Sequence, residues 1–295
     1  MKTVTDKYAM ELRALSENWL VVVGLLVVFA PTLASLANGP WQQSEYAHGP
    51  IVLAAILWLF WQKREVIFSN VSKSSPFIGG AFLILGSLLY ALGRSQTIFF
   101  IEVGSAIPIV LGIIILTKGF GPALRCWFPL VFLLFLIPLP SFLIDALTGP
   151  LKNYVSIAVS NLLYELGYPV ARNGVVITIG QYQLLIADAC SGLNSMYALT
   201  SLGILFVYLK RKISSTAHIV LMLIAIIPIA FITNVARVTT LSLLTYYFGD
   251  EVGLGFSHDT AAVVEFFIAL FLLTTLDSAL FRLLSKKRQQ GKNIA

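Results

Sequence analysis

Long apolar runs, uninterrupted by charge, follow one another along this chain from Trp19 almost to its C-terminus, and they leave few folds open. A helix needs about 20 apolar residues to cross the hydrocarbon layer of a membrane. Inside that layer only a helix or a closed barrel satisfies its own backbone polar groups. The runs predict an all-α polytopic membrane protein of about eight transmembrane helices. These fall near Trp19–Ala37, Tyr46–Gln62, Ser74–Gly93, Ser95–Thr117, Cys126–Ile144 and Cys190–Leu209, with a seventh starting near Ile213 and an eighth over Asp259–Asp277. The chain reads as a single integral membrane domain over 1–295, with no low-complexity segment and no fixed repeat period.

Composition excludes the soluble alternatives. Of 295 residues, 58% are hydrophobic and 12% charged, against about 25% charged in soluble domains. So little charge cannot cover a water-facing surface. The net charge of +6 does not indicate a nucleic-acid partner, because the basic residues sit in short loops between apolar runs, where cytoplasmic charge belongs. Lys2, Lys7 and Arg13 precede a first run that is too long for a signal-peptide core and has no small-residue cleavage site, which predicts an uncleaved signal anchor.

Lys and Arg also predict orientation. With residues 1–18 in the cytoplasm, that side collects Lys2, Lys7 and Arg13, then Lys63, Arg64 and Lys73, then Lys118 and Arg125, then Lys210, Arg211 and Lys212. The tail, 282–295, adds Arg282, Lys286, Lys287, Arg288 and Lys292. Of the 20 Lys and Arg, only Arg94, Lys152, Arg172 and Arg237 fall elsewhere. Both termini are expected inside. Residues 145–189 are expected outside, with Ala146–Leu166 as a helix lying in the interface or dipping into the membrane. Val175–Ile179 and Tyr182–Ile186 read as a small β-hairpin around Gly180-Gln181, leading into Cys190.

Three residues stand out chemically. A disulfide between the two cysteines, Cys126 and Cys190, is excluded. It needs Cα atoms within about 7 Å, and the topology puts a membrane thickness between them. Cys126 reads as a small buried hydrophobe. Cys190 falls where a hairpin turns into a helix. Peptide N–H groups at a helix start favour thiolate and can hold an oxyanion; the plainer alternative is again a buried small side chain. His258 and His48 fall on the same predicted side as Cys190, whereas His218 does not. A histidine there can take a thiol proton and return it to a leaving amine, or simply hydrogen-bond to a loop. Arg237 lies roughly 36 Å of helix beyond Ile213, at or just below the outer boundary. An arginine at that depth points to function, stabilising an oxyanion or binding a carboxylate, or to an ion pair with Glu102 or Glu265. The carboxylates, among them Asp188, Asp259, Glu45 and Asp145, form no site by themselves. No phosphate-binding loop, zinc-type spacing or haem motif occurs, so no metal or cofactor is expected.

Ala189-Cys190-Ser191-Gly192-Leu193, followed by Asn234-Val235-Ala236-Arg237 and then His258-Asp259, resembles the exosortase/archaeosortase family over about residues 40–280. Tyr46-Ala47-His48-Gly49 is similar to a further family element. Asn194-Ser195-Met196 and Tyr246-Tyr247-Phe248-Gly249-Asp250 look most like the exosortase B group, although many members carry arginine where Asn194 stands. The resemblance implies a cysteine-dependent protease or transpeptidase of the bacterial inner membrane, with its active site facing the periplasm. Its substrates would be membrane-anchored proteins bearing a C-terminal sorting signal: a Pro-Glu-Pro-type motif, a transmembrane helix and a basic tail. It implies Cys190 as thioester former, His258 as proton carrier and Arg237 as oxyanion stabiliser, with His48, Asp188, Ser191, Asn234 and Asp259 in support. The acceptor nucleophile stays open. Two other readings fit the residues: a non-enzymatic membrane subunit of polysaccharide export or transport, with Arg237, Glu102 and Glu265 lining a polar pathway, and an acyl transferase using Cys190 on lipid.

Overall fold

The apolar runs fold as helices in the computed structural model, which describes residues 4–43, 46–67, 74–185, 193–211, 215–249 and 256–292. The chain divides into two compact units, Met1–Pro140 and Ser141–Ala295. The first holds α1 (Val4–Asn38), α2 (Gly49–Gln62), α3 (Arg64–Ile67), α4 (Pro76–Ser95), α5 (Phe99–Gly104), α6 (Ala106–Lys118), α7 (Phe120–Arg125) and α8 (Trp127–Phe132). The second holds α9 (Ser141–Glu165), β1 (Val170–Asn173), β2 (Val176–Ile179), β3 (Tyr182–Leu185), α10 (Leu193–Lys210), α11 (Thr216–Phe248) and α12 (Phe256–Lys292).

Among the described residues, five helical stretches are long and apolar enough to cross a membrane: Trp19–Gln42, Pro76–Ser95, Phe99–Lys118, Thr216–Phe248 and Val264–Leu283. Three shorter apolar helices, Gly49–Gln62, Trp127–Leu136 and Tyr197–Lys210, lie where the sequence predicts the second, fifth and sixth crossings. Large apolar side chains such as Val27, Ile84, Ile227 and Phe271 point outward. Water would penalise such a surface and lipid accepts it.

In the first unit, Gly79, Gly86 and Gly93 lie seven residues apart on α4 and so share one face. Gly112 faces them from α6. A Cβ at Gly79 would stand 2.5 Å from the Leu116 backbone N, and one at Gly112 2.7 Å from the Leu83 N. The glycines let two backbones approach closely, which is how helices gain van der Waals contact where no hydrophobic force separates protein from lipid. Gly79→Ala is therefore expected to lower the unfolding free energy by about 1–3 kcal/mol, read as a lower Tm in detergent. Gly80 has nothing within 4 Å of its Cβ direction, so Gly80→Ala should be neutral or stabilise by about 0.5–1 kcal/mol. Equal losses at both positions would contradict the close contact.

One expected crossing is broken. The sequence predicts a span over Cys126–Ile144, but α8 stops at Phe132. A 3-10 turn continues to Leu136, and residues 137–140 are not helical before α9 begins. Pro138 and Pro140 explain the break: each lacks an N–H and disfavours helical backbone in the residue before it. The Tyr46 hydroxyl donates to the Leu139 carbonyl at 2.8 Å, satisfying a group the break leaves without a helical partner.

In the second unit the expected hairpin is β2 and β3, paired from Val176↔Leu185 to Ile179↔Tyr182 and joined through Gly180 at φ 58°. The sequence reading missed β1, which pairs antiparallel with the other edge of β2 after a turn through Gly174 at φ 61°. Ile177 and Ile179 alternate inward on β2 and bury against Val155, Val159 and Leu163 of α9 and Val238 of α11. Helices α10, α11 and α12 pack in layers. Leu199, Ala230 and Ala269 form one, and Val207, Met222, Ile226 and Leu273 the next. Beyond these, the Asp277 carboxylate meets His218 Nε2 at 2.8 Å and Lys210 Nζ at 3.2 Å. The layers make α11 antiparallel to its two neighbours and set their register.

Candidate functional site

The polar residues of α11 concentrate in its C-terminal half. Thr233, Thr239 and Ser242 donate to the carbonyls of Ile229, Val235 and Val238, one turn back. Those hydroxyls therefore cost little in an apolar surrounding. Asn234 and Arg237, one turn apart on the buried face, are 1% and 5% exposed. Arg237 Nη1 donates to Glu265 Oε2 of α12 at 3.2 Å, and Glu265 is 2% exposed. Of the two acids the sequence offers as partners, it is Glu265 that pairs with Arg237.

Glu102 is committed within the first unit. It accepts from Thr32 Oγ1 at 2.6 Å and from Arg94 Nη1 at 3.2 Å, and Arg94 also donates to Ser35 Oγ at 3.0 Å. Glu102 is 1% exposed, and its network ties α1, α4 and α5 together. His48 also belongs to the first unit, half-buried at the start of α2. The next residue, Gly49, lies so close to the Trp41 indole that a Cβ there would overlap the ring.

In the second unit, the sheet, the C-terminal half of α11 and the start of α12 lie at one end. The sheet packs on α11 through Val238 and Tyr246. Tyr168 packs edge-on against Tyr246, and its hydroxyl lies 3.0 Å from that of Tyr247. That hydrogen bond raises the Tyr168 pKa above its ordinary value. β3 ends at Leu185 and α10 begins at Leu193, and residues 186–192 join them in the sequence. Cys190, Asp188 and Ser191 belong to that segment and lie outside the described residues. His258 and Asp259 stand in the first turn of α12, their side chains outside the description. Cys126 is a free thiol at 0% exposure, as its reading as a small buried hydrophobe predicts.

The sequence model of the transmembrane exosortases matches residues 41–275. The chain belongs to the transmembrane exosortase family. No curated protein and no solved structure shows a significant match to it. The region shared with exosortases starts at Trp41 and ends within α12. It contains His48, the Arg94–Glu102 and Arg237–Glu265 pairs, the segment 186–192 and the first turn of α12. Exosortases are multi-pass membrane enzymes, which agrees with the five long apolar helices. Sequence reasoning weighed Glu265 as a counter-ion or as part of a transport pathway, never as part of a catalytic site. Its depth inside an apolar helix was the signal that could have raised its standing.

Proposed function

We propose that this exosortase is a cysteine-dependent protease or transpeptidase of the bacterial inner membrane. Its substrates are proteins bearing a C-terminal sorting signal of Pro-Glu-Pro-type motif, transmembrane helix and basic tail. The observation that carries this reading is the buried Arg237–Glu265 pair. It sits at the end of the second unit that holds the first turn of α12, where His258 stands, and Cys190 follows β3 by five residues in the sequence. The helix register supports the same grouping. From the Leu199–Ala230–Ala269 layer, Arg237 lies about 10 Å further along α11 and Glu265 about 6 Å along α12, while Cys190 is nine residues before Leu199.

In this mechanism His258 accepts the Cys190 proton, and the thiolate attacks the scissile carbonyl carbon. The carbonyl π electrons move to oxygen, and Arg237 stabilises the resulting oxyanion. On collapse the C–N bond breaks, His258 gives its proton to the leaving amine, and the new carboxyl end remains as a thioester on Cys190. Water or an acceptor nucleophile then takes the acyl group and returns the thiol. Asn234, one turn from Arg237, and His48, Asp188, Ser191 and Asp259 are assigned supporting roles. An even number of crossings, which the Lys and Arg bias favours, puts both termini in the cytoplasm and this end of the second unit in the periplasm.

The test is a thioester trapped on Cys190 in membranes carrying an anchored substrate, identified by mass spectrometry. A peptide adduct ending at the sorting motif is the expected result. A lipid acyl adduct would make the enzyme an acyl transferase. Absence of any adduct, with no labelling of Cys190 by a membrane-impermeant maleimide from outside, would favour the transport-subunit reading. For that last reading, the two buried acids are unpromising as a shared pathway, since each is committed to an arginine of its own unit.

A further inference from the structure

The Arg237–Glu265 pair calls for an explanation other than stability. Both side chains are almost fully buried. A buried ion pair is generally no more stabilising than a well-packed apolar pair, because desolvation offsets the attraction. Nor is it needed to set the register of α11 against α12. The apolar layers around Ala230 and Met222 and the Lys210–Asp277–His218 cluster at the other end already do so. What the pair does achieve is to keep an always-charged guanidinium at a fixed place in an apolar surrounding, where it would otherwise be expelled or distort the helices. Arg237 Nη1 donates to Glu265 Oε2 at 3.2 Å. A guanidinium carries five N–H groups, more than one carboxylate oxygen takes up, so a carboxylate beside it can limit where it points and leave it able to meet a second acceptor. Glu265 also stands seven residues after His258 on the same helix, two turns on and therefore on the same helix face.

We propose that Glu265 is a positioning residue for Arg237. Its carboxylate aims the guanidinium toward the reacting carbonyl, and α12 thereby sets the arginine and His258 relative to one another through one rigid element. The inference rests on the reading that Arg237 serves the reaction. Glu265 touches neither substrate nor reacting atoms, and its effect passes through Arg237. A misaimed oxyanion donor loses transition-state stabilisation while leaving substrate capture intact. The expected signature is therefore a fall in turnover without a change in the substrate level that gives half-maximal rate.

The experiment uses the full-length enzyme in membranes with an anchored substrate. It measures processing rate against substrate level, together with Tm, for Glu265→Gln, Glu265→Asp, Arg237→Ala and the exchanged pair Arg237→Glu/Glu265→Arg. Glu265→Gln keeps an acceptor of the same size without its charge. It should lower turnover about 10- to 100-fold, the scale of a slightly displaced catalytic group, with half-saturation unchanged. Glu265→Asp should recover part of that loss. The exchanged pair should regain Tm relative to Glu265→Gln yet process nothing, because a carboxylate would replace the guanidinium on α11. An exchanged pair that regains both Tm and processing would show that the pair is only a fastening, and would overturn the proposal. Wild-type turnover in Glu265→Gln, with Arg237→Ala inactive, would overturn it while leaving the role of Arg237 intact. Processing by Arg237→Ala at the wild-type rate would remove that role and the proposal with it.

Discussion

Cys190→Ala is expected to reduce processing of an anchored substrate by more than about 10³-fold, since loss of the nucleophile in an acyl-transfer enzyme removes most of the rate enhancement. Substrate should still bind, because the helices that would receive it are untouched. Uncleaved substrate should then co-purify with the variant in larger amount than with the wild type. Cys126→Ala is the control. Cys126 is fully buried in the first unit, so its replacement should cost about 1 kcal/mol of stability and leave processing at the wild-type level. Pulse-chase of substrate maturation distinguishes the two. A Cys190→Ala enzyme within tenfold of wild type would end the cysteine mechanism. Equal loss from both cysteine variants would point to unfolding instead of chemistry.

Removing the transmembrane helix from the substrate should abolish cleavage even with the sorting motif intact. Two of the proposed catalytic residues stand at helix starts in the sequence: Cys190 three residues before α10 and His258 in the first turn of α12. A scissile bond must therefore be delivered at a set height near the membrane surface. The substrate's own helix does this, because its apolar length sets where the preceding motif emerges. Confinement to the bilayer also raises the effective concentration of the two proteins. Moving the motif four residues from its helix displaces it by roughly 6 Å if the insert is helical, and should reduce cleavage sharply. A soluble motif peptide cleaved as fast as the anchored protein would show that the membrane plays no part in positioning.

Several features that the structure reveals were present in the sequence in a form that admits more than one reading. The seven-residue spacing of Gly79, Gly86 and Gly93 is visible in the sequence, yet only the contact with α5 and α6 shows that backbones meet there. Pro138 and Pro140 are helix breakers on their face. Inside so apolar a run they also match the kinked spans that membranes tolerate, yet in the folded chain the helix breaks there. Val170–Asn173 sits between Pro169 and the Asn173-Gly174 turn, which reads as irregular chain. It becomes β1 because β2 offers it an edge, and a pairing partner is not a local property. The hairpin itself was legible, since Gly180 suits the positive φ that a two-residue turn demands.

Sequence alone determined that this chain enters a membrane as helices, because lipid offers backbone polar groups no partner and long apolar runs admit no other fold. It also determined, through the motifs around Cys190, Arg237 and His258, which family those helices belong to. Which acid would answer Arg237 was left open between Glu102 and Glu265, and only the tertiary structure decided it. Arg94, Thr32 and Ser35 gather at Glu102 in the first unit, while α11 and α12 meet in a register that sets Glu265 against Arg237. Hydropathy says that a helix crosses lipid but is blind to its rotation and register. Those follow from the shapes of the side chains between neighbours, so the partner of a buried charge is decided only once the helices have packed.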